Sequence, residues 1–264
     1  MSAPVRLIAS DLDGTLIRAD YTFSARTAAA VTAVVEAGIT FVAATGRSQW
    51  TAEPILEAVP AIRYAVCSNG SSLYDLHERV SLWEHPIDDA VIDEILSRLS
   101  LHLPGCVYGW ETAVNLHYEA GFLQYRPNLD RPASTDLPIG QRPAPIRKLM
   151  VCHPEIQHYE LLDCLRPLMP AGATASTSGA PFVEITGPGI DKAFGVQRLC
   201  DQLGVGAEEV LAFGDNHNDL EMLRWAGRAV AMGNAQPVVR AAIAEVTAPF
   251  DEDGVAMVLE GLLA

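Results

Sequence analysis

The sequence predicts an α/β protein: a parallel sheet covered by helices, interrupted in mid-chain by an insert of α+β character. Three observations predict it. Short apolar runs alternate with helical segments over residues 5–75 and again from Asp191 onward, the pattern of strands that pair in parallel and are covered by helices. That rhythm breaks near Leu82 and stays broken for about 100 residues, the size of a small domain. The length of 264 residues, 49% of them hydrophobic, is long for one compact core and short for two full ones. The expected division is a core of residues 1–82 and 188–264 around an insert of residues 83–187.

Taken in order, Val5-Arg6-Leu7-Ile8-Ala9 reads as a buried strand. Ser24 is placed to cap a helix through about Ala37, ended by Gly38. Ile39–Ala43 gives the next strand, Ser48 opens a helix, and Tyr64–Cys67 gives a third strand closing on Ser68-Asn69-Gly70. In the insert, a helix from about Asp88 to Leu99 precedes short strands near Val107 and Val114. The proline-rich stretch from Arg126 to Pro145 reads as loop or edge, since proline lacks the N–H that a sheet ladder needs. Arg147–Cys152, Thr174 and Phe182–Ile185 mark further strands, with a helix from Pro154 to about Leu168. A helix from Asp191 to Leu203, strands at 210–213 and 228–232, a helix after His217, and helices near 236–244 and 254–263 complete the core. No internal repeat and no low-complexity tract is visible.

The formal charge of −15 argues against nucleic acid or an anionic membrane surface as partner, because both require basic patches. No apolar run reaches spanning length, and the first residues lack the features of a secretory signal, so a cytoplasmic location is expected. Five scattered cysteines, odd in number and without a CxxC pair, suit reduced thiols better than a disulfide framework or zinc site. Asn69-Gly70-Ser71 matches a glycosylation sequon and is read as chance. The sequence does not separate a monomer from a homodimer.

The first strand ends in Ser10-Asp11-Leu12-Asp13-Gly14-Thr15-Leu16. Side chains two apart leave a strand on one side, so Asp11 and Asp13 converge, an unfavourable pairing unless positive charge lies beside them. In open parallel sheets ligands bind at the carboxyl ends of the strands. There the second strand delivers Ala44-Thr45-Gly46-Arg47, a hydroxyl donor beside a glycine that permits close backbone approach, and the strand at 210–213 delivers Gly214-Asp215-Asn216-His217-Asn218-Asp219. Lys192 opens the helix that returns the chain to the core. Carboxylate, carbonyl and water oxygens are what Mg²⁺ prefers; Asp11, Asp215 and the backbone carbonyl of Asp13 are candidate ligands. The ion and Lys192 together supply local positive charge for an anionic substrate on an acidic protein.

These motifs resemble those of haloacid dehalogenase superfamily phosphatases, of the Cof-type branch with a large α/β cap. Asp11-Leu12-Asp13-Gly14-Thr15-Leu16, Thr45-Gly46-Arg47, Asp191-Lys192 and Gly214–Asp219 fall in the family's order, with Ser68-Asn69-Gly70, Met232-Gly233-Asn234-Ala235 and Asp251–Ala256 as further branch-like features. Ser71 stands where the branch more often has alanine. The resemblance runs almost end to end and implies a Rossmann-like core with an inserted cap, in which no motif is legible.

It further implies that Asp11 is the nucleophile, forming an aspartyl-phosphate, and that Asp13 is the general acid and base. Thr45 would hydrogen-bond a phosphoryl oxygen and Lys192 would hold Asp11 and the phosphoryl group together. Asp215 would bind Mg²⁺, with Asn218 and Asp219 orienting metal waters or phosphate. Gly46, Arg47 and Asn69 complete the candidate substrate-binding residues, against plainer readings: a surface arginine at a helix start and a turn-forming asparagine. Asp219 has its own plainer reading as a helix cap, and His217 one as a solvent-exposed residue. Arg126, Arg131, Arg142, Arg147 and Lys148 of the insert read as a solvated face.

The expected activity is Mg²⁺-dependent hydrolysis of a small phosphorylated metabolite, with sugar phosphates the first guess. A phosphomutase-type phosphotransferase is the alternative, and a non-enzymatic phospho-receiver a more remote one. Dehalogenase chemistry needs neither a metal nor an acid at the second position, so Asp13 and Asp215 both speak against it.

Overall fold

The computed structural model describes residues 3–125, 137–142, 145–171 and 173–264. The expected alternation is present: β1 (Leu7–Ser10), α1 (Ala25–Glu36), β2 (Thr40–Ala44), α2 (Gln49–Leu56) and β3 (Tyr64–Cys67) follow in order. Ser24 caps α1 by accepting from the Thr27 amide at 2.9 Å, and Gly38 leaves the helix at φ +89°. Next come β4 (Ser72–Asp75) and β5 (Val80–Glu84). After the insert, the chain resumes with α5 (Lys192–Leu203), β11 (Val210–Gly214), α6 (Leu220–Trp225), β12 (Arg228–Ala231), α7 (Pro237–Ala242), β13 (Glu245–Val246) and α8 (Gly254–Leu263).

These strands form one sheet in the order β13-β12-β11-β1-β2-β3-β4-β5. Pairing is parallel from β13 through β3, and β1 lies between β11 and β2 in the middle. The expected parallel core is extended by β4, a strand the sequence reading did not name, which pairs antiparallel to β3. Its four residues Ser-Leu-Tyr-Asp are all buried, so the polar ones hide the strand from a hydrophobic pattern. The strands and helices enclose a core in which Leu7, Ile8, Val42, Val66, Leu211 and Phe213 are inaccessible to solvent.

The chain divides into two compact units, Met1–Trp83 with Asp191–Ala264, and Glu84–Ile190. The second unit contains α3 (Asp89–His102), β6 (Val107–Glu111), β7 (Leu116–Tyr118), β8 (Lys148–Cys152), α4 (His158–Leu165), β9 (Thr174–Ser176) and β10 (Val183–Thr186). Its strands run β7-β6-β8-β10-β9, antiparallel throughout. Val114, expected in a strand, is exposed in the turn before β7, and the expected helix at Pro154 begins only at His158. Ile92, Ile95 and Leu99 of α3 and Leu161, Leu162 and Leu165 of α4 pack with Trp110, Leu149, Val151, Val183 and Ile185 in a core of the unit's own.

Arg147 and Lys148 overturn the reading of a solvated face. Both are buried. Lys148 Nζ lies 2.8 Å from Glu184 and 3.2 Å from Glu111, its cross-strand neighbour, while Arg147 donates to the Thr112 carbonyl at 2.7 Å and to Glu84 at 3.2 Å. Buried charge persists only when paired: Lys148 has Glu111 and Glu184 on the two strands beside its own, and Arg147 has Glu84. Arg142 is tied to Asp93 at 2.6 Å. Arg126 and Arg131, and most of the proline-rich stretch, lie outside the described residues.

Candidate active site

The turn after β1 separates the two carboxylates of the first motif onto two cations. The Asp11 amide continues the sheet ladder by donating to the Phe213 carbonyl at 3.1 Å. Leu12 is fully buried, and its carbonyl then accepts from the amides of Thr15, Leu16 and Ile17 at 2.9–3.2 Å, which winds the chain into a tight loop. Gly14 takes φ +79°, and a Cβ there would lie 2.7 Å from Asp215 Oδ2, so glycine is required on both counts. Asp11 faces Lys192, whose Nζ donates to Oδ1 at 2.5 Å. Asp13, farther out, receives Nε and Nη2 of Arg47 on its two oxygens at 2.6 and 2.5 Å.

Lys192 is the first residue of α5 and has no exposed surface. Asp191 caps that helix by accepting from the Phe194 amide at 2.9 Å, which fixes where Lys192 emerges. Besides Asp11, Lys192 donates to Asp219 Oδ1 at 2.6 Å. The other Asp219 oxygen accepts from the amides of Asp215 and Asn216, both at 2.9 Å, so this buried residue does more than cap a helix. Asp215 accepts from the Thr15 hydroxyl at 3.3 Å. Asp11, Asp215 and Asp219 can each place one carboxylate oxygen within 4.8 Å of the others.

Two loops at the ends of β2 and β3 are stitched together beside this cluster. The Thr45 carbonyl accepts from the Asn69 amide at 3.0 Å and the Arg47 carbonyl from the Ser68 amide at 2.8 Å. Thr45 Oγ accepts from the Arg47 amide at 3.1 Å, leaving its own proton to donate, and Gly46 lies between these two residues. Ser68 and Asn69 adopt φ +50° and +54°, an uncommon region for residues with a Cβ. Gly70 follows at φ +94°, where a Cβ would fall 1.8 Å from the Asp191 carbonyl oxygen. This turn is pressed against the start of α5. It carries the buried Asn69, whose Oδ1 accepts from Asn218 Nδ2 at 3.0 Å. The remaining amide atoms, Asn69 Nδ2 and Asn218 Oδ1, are buried with no hydrogen-bond partner, so a donor and an acceptor are left uncommitted here.

The electrostatics follow from three carboxylates and one ammonium in a dry setting. Burial, reinforced by Asp219, pushes the Asp215 carboxyl up to about 7 against the opposing pull of Lys192. Burial likewise raises Asp11 well above the usual range, with Lys192 opposing and the carboxylates of Asp219, Asp215 and Asp13 adding to the rise. Burial alone would lower Lys192, but Asp11 and Asp219 outweigh it and hold the ammonium charged. The excess of negative charge is what an added cation relieves.

The family model of haloacid dehalogenase-like hydrolases matches residues 8–259. The chain belongs to that family. It is 30% identical over 256 residues to a pyridoxal phosphate phosphatase of Escherichia coli, covering 89% of this chain and 90% of that protein. It is 28% identical over 252 residues to a 5-amino-6-(5-phospho-D-ribitylamino)uracil phosphatase of Bacillus subtilis, covering 96% and 93%. A solved haloacid dehalogenase-like hydrolase from Bacteroides thetaiotaomicron superposes with a TM-score of 0.77 at 26% identity, covering 98% and 99%. The present chain is thus a Cof-type haloacid dehalogenase phosphatase, a hydrolase of phosphoric monoesters.

All ten residues singled out in this family member's sequence, Asp11, Asp13, Thr45, Gly46, Arg47, Asn69, Lys192, Asp215, Asn218 and Asp219, lie in the first unit. Arg47 pairs with Asp13, a partner that the sequence did not announce. Three contributors escaped the sequence reading. Thr15 stood inside the first motif, and its hydroxyl on Asp215 is the missed signal. Asn234 donates to the Gly14 carbonyl at 2.8 Å and accepts from the Phe250 amide at 3.1 Å, anchoring the nucleophile loop; the run Met232-Gly233-Asn234-Ala235 flagged it without a role. Tyr21, with its ring centroid 4.5 Å from the Arg47 guanidinium carbon, had no sequence signal at all.

Proposed function

We propose that this phosphatase hydrolyses a small phosphorylated metabolite, sugar phosphates first among them, with Mg²⁺ and through an aspartyl-phosphate on Asp11. The observation that carries the reading is the buried Lys192 bridging Asp11 and Asp219 beside Asp215, at the carboxyl ends of β1 and β11. The donor set fits the ion: oxygens only, with carboxylates carrying more negative charge than Lys192 balances. Asp11, Asp215 and the Asp13 carbonyl would hold it. Asp219 has both oxygens committed to Lys192 and to backbone amides, which supports a role one layer out. When bound, Mg²⁺ neutralises phosphoryl charge and so lowers the repulsion between the substrate dianion and a carboxylate nucleophile.

The protein's own groups account for the remaining chemistry. Asp11 Oδ attacks phosphorus in line as the ester P–O bond breaks, and Asp13 passes its proton to the departing alkoxide. Asp13 then takes a proton from water, whose oxygen attacks the phosphorus of the aspartyl-phosphate and frees inorganic phosphate and the Asp11 carboxylate. Thr45 Oγ–H, the uncommitted Asn69 amide and the Lys192 ammonium donate to phosphoryl oxygens, while Asn218 steadies Asn69. Gly46 keeps the backbone of that loop open to the substrate. The Glu84–Ile190 unit would be the cap that the resemblance implies.

No single group suffices, since enhancement of phosphate monoester hydrolysis approaches ~10²¹ and general acid catalysis contributes about 10²–10⁴ of it. A panel of phosphometabolites assayed with and without Mg²⁺ tests the reading. Turnover should require the ion and be strongest on phosphorylated sugars or polyols. Asp11→Asn should abolish turnover while the melting temperature stays within a few degrees; substantial residual hydrolysis would contradict the nucleophile assignment.

A further inference from the structure

We propose that Arg47 is a substrate-operated latch: in the free protein it closes on Asp13, and the arriving phosphoryl anion draws it away. The inference rests on the anion-binding reading of the site given above. Both oxygens of Asp13 accept from Arg47, a two-pronged geometry that fixes the carboxylate plane. Each oxygen so engaged keeps a second lone pair, but the fork holds the carboxylate plane toward Arg47 and keeps it from turning toward a leaving group or a water. Withdrawal of one guanidinium N–H frees the carboxylate to turn and present an oxygen.

Of the two cations that pair with the site's carboxylates, Lys192 cannot move. It is fully buried between Asp11 and Asp219. Arg47 has one carboxylate partner, its side chain is 18% exposed and that of Asp13 is 39% exposed, so the pair exchanges partners without opening the core. Arg47 also belongs to the loop whose Thr45 offers a hydroxyl to the same anion, which keeps the alternative partner within the reach of one side chain.

Tyr21 supplies the surface on which the guanidinium rests. Its ring stacks on Arg47 at 4.5 Å while remaining more than half exposed, and its backbone lies at φ +65°, a costly conformation for an aromatic residue. A short turn maintains it: the Arg18 amide donates to the Thr22 carbonyl at 2.8 Å, the Tyr21 amide to the Arg18 carbonyl at 2.9 Å, and Asp20 accepts from the Thr22 hydroxyl at 2.6 Å. Tyr21 thus holds the cation by its ring face and by a side-chain hydrogen bond, and the exposed position of Tyr21 lets it follow the guanidinium.

The test is the affinity of the full-length protein for inorganic phosphate in the presence of Mg²⁺, measured calorimetrically for wild type, D13A, R47A and the double variant. If Asp13 and the anion compete for Arg47, D13A frees the arginine and tightens phosphate binding by about fivefold, the worth of one partly exposed ion pair. The same substitution in the R47A background should then give a smaller gain. Plain charge repulsion predicts the reverse, because Asp13 repels an anion more strongly once Arg47 no longer neutralises it. An equal or larger gain in the R47A background therefore overturns the latch. Absence of phosphate binding by the wild type would instead remove the anion-site reading on which the latch depends.

Discussion

Asp215 shows what burial does to one residue. Its carboxyl is pushed up to about 7 from an ordinary value near 3.8, by burial first and by Asp219 next. A carboxyl whose pKa is higher in the folded chain than in the unfolded one contributes stability below about pH 4. That contribution is lost as the pH rises through about 7. Metal binding needs the ionised form. The rise in melting temperature on adding Mg²⁺ should therefore be small at pH 5, grow as the pH approaches 7 and level off above it; an increment that does not change with pH would contradict the assignment. The motif carboxylates and Lys192 were legible because their spacing relative to strand ends is a backbone property. Tyr21 was not, since its contact with Arg47 depends on a turn whose φ the pattern of polar residues does not announce.

Among the elements, α5 does the most to assemble the site. Its N-cap Asp191 sets the position of Lys192, and the carbonyl of Asp191 is the atom against which the Gly70 turn closes. Gly195, one turn on, lets the helix approach β3 so closely that a Cβ would lie 2.4 Å from Val66 Cγ1. Asp191→Ala removes the capping bond and should cost about 0.5–2 kcal/mol in denaturant unfolding, with Asp191→Asn costing less. Equal losses in the two variants would show that the cap bond is not what holds the helix start. The helix itself was visible from Asp191 and its apolar spacing. The β4 strand was not, because its burial comes from neighbours rather than from its own sequence. Arg147 and Lys148 misled for the same reason: charge reads as exposure until the anionic partners are known.

At the scale of the molecule, a net charge of −15 and an anionic substrate are reconciled by concentrating cation at one edge of the sheet. Among the described residues, no helix is long and apolar enough to cross a membrane. The two units carry separate apolar cores, one around β1 and β11 and one around Trp110 and Leu149. Separate cores predict that the calorimetric unfolding enthalpy exceeds the van't Hoff value, and that Mg²⁺ shifts only the part of the transition belonging to the unit with the carboxylates. A single two-state transition would contradict this. The central claim is that Asp11 carries the phosphoryl group, and acid-quenched turnover followed by peptide mass analysis tests it most directly. One HPO₃ increment is expected on the peptide containing Asp11, absent in Asp11→Asn; full turnover with no label on that peptide, or label on another residue, would rule out Asp11 as the carrier.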